Sequence, residues 1–131
     1  MNRVAKNGMA RPLPFRVLAI DDSPEIIDTI RAALGSEFLL LASVSAAKGL
    51  KLAAQHRPDL ILLDVVMPEL DGPSLLRELR KTRPELKIIF VSGYAEEAFR
   101  KNLPEGESFR FLPKPFSLKE LAIAVKETLG R

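Results

Sequence analysis

Four segments of the chain are apolar at every position: Val17–Ile20 (VLAI), Phe38–Ala42 (FLLLA), Leu60–Leu63 (LILL) and Ile88–Val91 (IIFV). Runs without polar alternation need cover on both faces, which is the surrounding of strands inside a parallel sheet. A fifth run, Phe109–Leu112 (FRFL), alternates and reads as an edge strand. Between the runs the period becomes helical. Ile26, Ile27, Ile30, Ala33 and Leu34 share one face, with Ser23 as N-cap, Pro24 at the first helical position and Gly35 as the stop. Ala46, Ala47, Leu50, Ala53 and Ala54 form a second stripe, and Leu75, Leu76 and Leu79 a third after Gly72-Pro73. A fourth stretch, Ala95–Lys101, is short and heavily charged. Leu118, Leu121, Ala122, Val125 and Leu129 form the fifth, entered through Ser117 with Glu120 three residues on, the pattern of a capping box.

Strand and helix thus alternate five times. This predicts an α/β fold: a flavodoxin-like, doubly wound (βα)5 domain with a five-stranded parallel sheet of order 2-1-3-4-5 and helices on both faces. The expected organisation is a flexible basic leader over 1–14 and one domain over 15–131. The last helix reaches the end of the chain, so no output domain is expected after it.

Composition narrows the chemistry. With 131 residues, 47% hydrophobic, the chain suits one domain with a real core. It has no cysteine, which excludes disulfides, thiolate metal sites and thiol nucleophiles. The single histidine, His56, excludes a zinc cage built on two imidazoles and leaves Ser–His–Asp catalysis one candidate. There is no apolar run of membrane-spanning length and no signal-peptide core, so a soluble, cytoplasmic domain without membrane contact is expected. The net charge of +3 lies wholly in Arg3, Lys6 and Arg11 of the leader; the remainder carries 17 basic and 17 acidic side chains. A basic tail on a neutral domain argues against nucleic-acid binding by the domain itself.

In an open parallel sheet, function sits beyond the carboxyl ends of the strands. The first strand leads into Asp21-Asp22, the third into Asp64, the fourth into Ser92-Gly93, and the last into Pro113-Lys114-Pro115. Asp21, Asp22 and Ser23 could merely cap the first helix, but Asp64 precedes Val65-Val66-Met67, where no helix begins for it to cap. Three carboxylates at one rim repel, by roughly 4 kcal/mol for a pair about 4 Å apart at an effective dielectric of 20. They call for a cation beyond Lys114. A hard divalent ion, Mg²⁺ (or Mn²⁺), prefers oxygen ligands and phosphate oxygens. On this reading Asp64 is the nucleophile, Asp22 and Asp64 hold the metal, and Asp21 acts through its water. Lys114 pairs with a transferred phosphoryl group, and Ser92 donates to one of its oxygens.

The set Asp21-Asp22, Asp64, Ser92 and Lys114-Pro115, with DVVMPELDG at Asp64–Gly72 and KPF at Lys114–Phe116, resembles the receiver domain of two-component response regulators from about Phe15 to Leu129. The stretch IIFVSGYAEEAFRKNLPEGESFRFLPKPFSLKELA is similar to the receiver of CckA-type hybrid histidine kinases. The resemblance implies Mg-dependent phosphotransfer from a phosphohistidine to Asp64. The expected partners are a histidine kinase or a histidine phosphotransferase, in a switch or a phosphorelay. It further implies a metal ligand from the backbone carbonyl of Val66 and a cis peptide before Pro115. Phe111 occupies the switch aromatic position, where a phenylalanine can fill a pocket but cannot hydrogen-bond outside it. Val66 and Tyr94 beside the acceptor are bulky and carry no carboxamide or acid to orient water, so slow loss of the phosphoryl group is expected. The changed face would comprise the fourth helical stretch, the last strand and the last helix, which is also where a homodimer would form. The domain is expected not to be an enzyme beyond its own phosphorylation and dephosphorylation. Two other readings are a phosphate-independent interaction module of the same fold and an aspartate-nucleophile phosphatase. The second lacks the acid expected two residues after the nucleophile, where Val66 stands.

Overall fold

A computed structural model of the chain describes residues 14–65, 72–93 and 109–130, without the side chains at 72 and 73. Residues 1–13 of the expected leader, Val66, Tyr94 and the expected helix at 95–101 lie outside the described residues. Among the described residues there are five strands: β1 (Arg16–Ile20), β2 (Leu39–Ser43), β3 (Leu60–Asp64), β4 (Lys87–Ser92) and β5 (Arg110–Pro113). They pair in parallel in the order β2-β1-β3-β4-β5. The described helices are α1 (Pro24–Leu34), α2 (Ala46–His56), α3 (Gly72–Thr82) and α4 (Leu118–Leu129).

The apolar runs of β1, β3 and β4 became strands because their residues have helices to pack under on both sides, whereas β2, at the sheet edge, leaves Leu39 exposed and most of its run half-buried. Side chains alternate along a strand, so Leu18 and Ile20 of β1 join α2 and α3 on one side. Val17 and Ala19 join α1 and α4 on the other. All four are fully buried, and burying a leucine or isoleucine side chain contributes about 1.5–3 kcal/mol. The strands run one residue beyond the apolar runs at several ends because the ladder bonds extend to their polar termini.

Helix entries follow the sequence closely. The Ser23 hydroxyl accepts from the Ile26 amide, with Pro24 in the first turn. Ser117 and Glu120 form the reciprocal capping box of α4. Two stripes need correction. In α2, Ala47 and Ala54 are exposed, and Gly49 is buried instead. A Cβ at Gly49 would stand 2.6 Å from Cδ1 and 2.8 Å from Cγ1 of Ile20, so the absent side chain is what lets α2 lie this close to β1. In α4, Leu118 is exposed and Ala124 takes the inward position, because the capped first turn faces solvent. Among the described residues no helix is long and apolar enough to cross a membrane.

Candidate functional site

Strand register brings the expected residues to one edge. Ile20 pairs with Leu63, so Asp21 and Asp64 stand level, one step further on. Asp64 pairs with Val91, so Ser92 lies one step beyond it. Ser92 pairs with Pro113, the residue before Lys114. Backbone bonds carry each ladder past the formal strand ends. The Asp21 amide donates to the Ser43 carbonyl at 3.1 Å, the Val65 amide to the Val91 carbonyl at 3.1 Å, and the Lys114 amide to the Ser92 carbonyl at 2.7 Å.

Ligand oxygens of Asp21, Asp22 and Asp64 all lie within 4.8 Å of one another. Asp21 and Asp64 are buried, at 1% and 6% exposure, whereas Asp22 is open to solvent. Ser92 is buried at 2%. The Lys114 ammonium sits over the two buried acids, 2.9 Å from Asp21 Oδ2 and 3.7 Å from Asp64 Oδ1. The peptide between Lys114 and Pro115 is cis.

The pose of Asp21 has a local reason. Asp21 Oδ1 accepts from the Ser23 amide at 2.9 Å, while the Ser23 hydroxyl caps α1. One residue thereby closes the helix entry and turns the acid. Asp21 Oδ2 is buried and has no hydrogen-bond partner; its contact with Lys114 is a charge contact outside hydrogen-bond geometry. Buried polar atoms are normally satisfied, so this oxygen marks a place for a cation. With three carboxylates against one ammonium, the donor set is all oxygen and net negative. That fits a hard divalent ion and does not fit a soft one.

Phe111 pairs with Phe90 across β4 and β5 and packs, half-buried, against the α2–α3 side of the core. Beside it Phe90 and Phe109 meet edge to face, ring centres 5.3 Å apart. His56 is exposed at the far end of α2, where its carbonyl accepts from Arg16 at the start of β1. It is at the opposite edge of the sheet from Asp64, so the one candidate for a histidine-based triad is not in the site. Val66 and Tyr94 lie outside the described residues. Sequence reading missed the carbonyl of Ser43, which accepts from the Asp21 amide, and the amide of Ser23, which donates to its carboxylate, since backbone groups leave no residue-type signal.

A family model described as "Response regulator receiver domain" matches residues 17–126. Sensor kinase CckA of Brucella abortus (strain 2308) is 48% identical over 118 residues, covering 88% of this chain and 12% of that protein. Response regulator MprA of Mycobacterium leprae (strain TN) is 32% identical over 118 residues, 89% of this chain and 52% of the relative. The chain therefore spans a small part of one relative and about half of the other. Among solved structures, a response regulator receiver domain protein (CheY-like) from Methanospirillum hungatei JF-1 superposes with TM-score 0.78 at 30% identity, covering 89% of this chain and 94% of that one. The signal receiver domain of an HD domain-containing protein from Pseudomonas fluorescens Pf-5 gives 0.81 at 26% identity, covering 89% and 95%.

Proposed function

The chain belongs to the response regulator receiver domain family, and from that premise we propose that Asp64 is a phosphoacceptor fed by a phosphohistidine. An Asp64 carboxylate oxygen attacks phosphorus in line, the P–N bond breaks, and the imidazole leaves, taking up a proton. The bond formed is an acyl phosphate. A Mg²⁺ or Mn²⁺ ion held by Asp22 and Asp64, with Asp21 acting through water and Val66 through its carbonyl, would neutralise phosphoryl charge. Lys114 pairs with a phosphoryl oxygen from the position it now holds between Asp21 and Asp64. Ser92 donates its hydroxyl to another. Such a transfer needs positioning and charge compensation more than covalent chemistry.

One observation carries this reading: two buried acids and one exposed acid converge within 4.8 Å, with the Lys114 ammonium against the buried pair. A structural ion pair would need one acid. The family interacts with histidine kinases or phosphotransferases. The likeness to the CckA sensor kinase favours exchange with a histidine phosphotransferase, and a cytoplasmic location suits both partners. Phosphate adds about −1.5 to −2 charge, drawing Ser92 and Lys114 inward and refilling the space behind them with Phe111. The face around β5 and α4 is the readout and the surface on which a second copy would pair.

The test is incubation with acetyl phosphate and Mg²⁺, read by intact mass. One stable adduct is expected, absent in Asp64→Asn and with EDTA. No adduct in the folded protein would favour a phosphate-independent module; rapid multiple turnover would favour a phosphatase.

A further inference from the structure

The domain outside the leader is neutral in sequence, but its charges are not evenly placed. Segment Ser45–Arg57, carrying α2, holds Lys48, Lys51 and Arg57 and no acid. Segment Gly72–Lys87, carrying α3, holds five cations and two acids. Both helices cover the same side of the sheet. The other side, with α1, the turn to Glu37 and α4, holds three cations against five acids. Such asymmetry steers a partner of opposite sign to one face.

A cleft of about 240 Å³ opens between α2 and α3 within that basic face. Leu50, Ala53, Leu79 and Leu86 supply its apolar wall, and Arg57, Glu78 and Arg83 its polar lining. Arg57 projects from the C-cap of α2, in left-handed backbone at φ 46°. Arg83 is the unusual member. Its Nε lies 3.3 Å from Glu85 Oε2 at the surface, while its Nη1 is buried and has no hydrogen-bond partner. The turn that carries it is held by Arg80, whose guanidinium donates to the carbonyls of Arg83 and Leu86. Nature rarely leaves a buried guanidinium nitrogen without an acceptor.

We propose that this cleft docks an acidic, leucine-bearing peptide segment of a partner protein, one carboxylate on Arg83 and Arg57 and one apolar side chain between Leu50 and Leu79. The proposal is independent of the phosphoacceptor reading and lies on residues that reading does not use. A peptide fits better than a nucleic acid. The space takes a side chain and its wall is apolar, whereas a phosphate backbone brings no apolar group to fill it.

The test is fluorescence anisotropy with a labelled peptide of Glu-Glu-Leu-Leu repeats, alongside versions with Ser for Leu and Lys for Glu, and a labelled oligothymidylate. Saturable binding of the first peptide is expected. It should weaken about tenfold in Arg83→Gln and in Arg57→Asn, and with Ser for Leu, and vanish with Lys for Glu. Arg57 is exposed and asparagine tolerates left-handed backbone, so that variant serves if Arg83→Gln does not fold. Amide shifts on titration should cluster at Ala53–Arg57 and Leu79–Leu86. Absence of binding, equal binding with Ser for Leu, or equal binding by folded arginine variants overturns the proposal. Oligothymidylate binding with the same arginine dependence overturns it in favour of nucleic acid.

Discussion

Replacing Asp22 by asparagine should make the metal-free domain more stable and the magnesium-loaded one less so. The oxygens of Asp21, Asp22 and Asp64 lie within 4.8 Å of one another. Two charges at that separation interact by about 3.5 kcal/mol at a dielectric of 20 and about 0.9 kcal/mol in bulk water. Asp22 is exposed, so the aqueous figure governs. It feels two negative neighbours and, partly cancelling one of them, the Lys114 ammonium. The net relief in Asp22→Asn is therefore about 1 kcal/mol, or about 3–4 °C in Tm for a domain of this size. Magnesium at a hundredfold over its Kd would add about 2.7 kcal/mol to the native protein, and the variant should lose most of that gain. Thermal melts in EDTA and in saturating Mg²⁺ should thus show the two proteins exchanging rank. In about 1 M salt, where the screening length falls to about 3 Å, the EDTA difference should collapse. A variant that melts below the native protein in EDTA would refute the repulsion argument. A native protein indifferent to magnesium would refute the metal assignment.

Lys114→Met leaves the buried Asp21 without its cation, and urea unfolding should show a loss of about 2 kcal/mol, discounted from the buried-pair range because the lysine is partly exposed. Adding Asp21→Asn should restore part of it; no recovery would mean the two side chains are not coupled. Gly49→Ala should destabilise by about 1 kcal/mol, the crowding of Ile20 outweighing the helix-propensity gain. Ile20→Val removes the nearest clashing atom, so a double-mutant cycle should give a favourable coupling of at least about 0.5 kcal/mol. Glu85 is held below its ordinary pKa of 4.5, first by its own backbone amide and then by the Arg83 side chain. A depressed carboxylate pKa contributes stability above the unfolded value that is lost as pH falls through the folded one. The stability difference between the native protein and Glu85→Gln should accordingly shrink on acidification below pH 4.5; a difference growing in acid would reverse the assignment.

Strands β1, β3 and β4 are legible because a doubly covered strand tolerates no polar residue, and each of their apolar runs breaks at the carboxyl edge of the sheet, where Asp21, Asp64 and Ser92 stand buried. That is why Asp21, Asp64, Ser92 and Lys114 could be placed on one edge before any coordinates. The alanine-rich α2 was read less well. Alanine fits either environment, and glycine registers no hydrophobicity, so Gly49 against Ile20 left no trace in a count of apolar positions. Spacing alone places Leu118 inward, whereas the cap at Ser117 sets the first turn of α4 outward. The one-sided charge was hidden for a different reason. Lys48 and Arg83 are far apart in the chain and become neighbours in potential only once α2 and α3 share a side of the sheet.

The 2.7 Å bond between the Ser92 carbonyl and the Lys114 amide has a mechanical meaning. It rivets the tip of an inner ribbon to the tip of the outermost one. A pull on either tip must drag its companion along or shear the rivet. The hydroxyl and the ammonium thus belong to a single lever, and the outermost ribbon, which has only one neighbour, is the arm freest to swing.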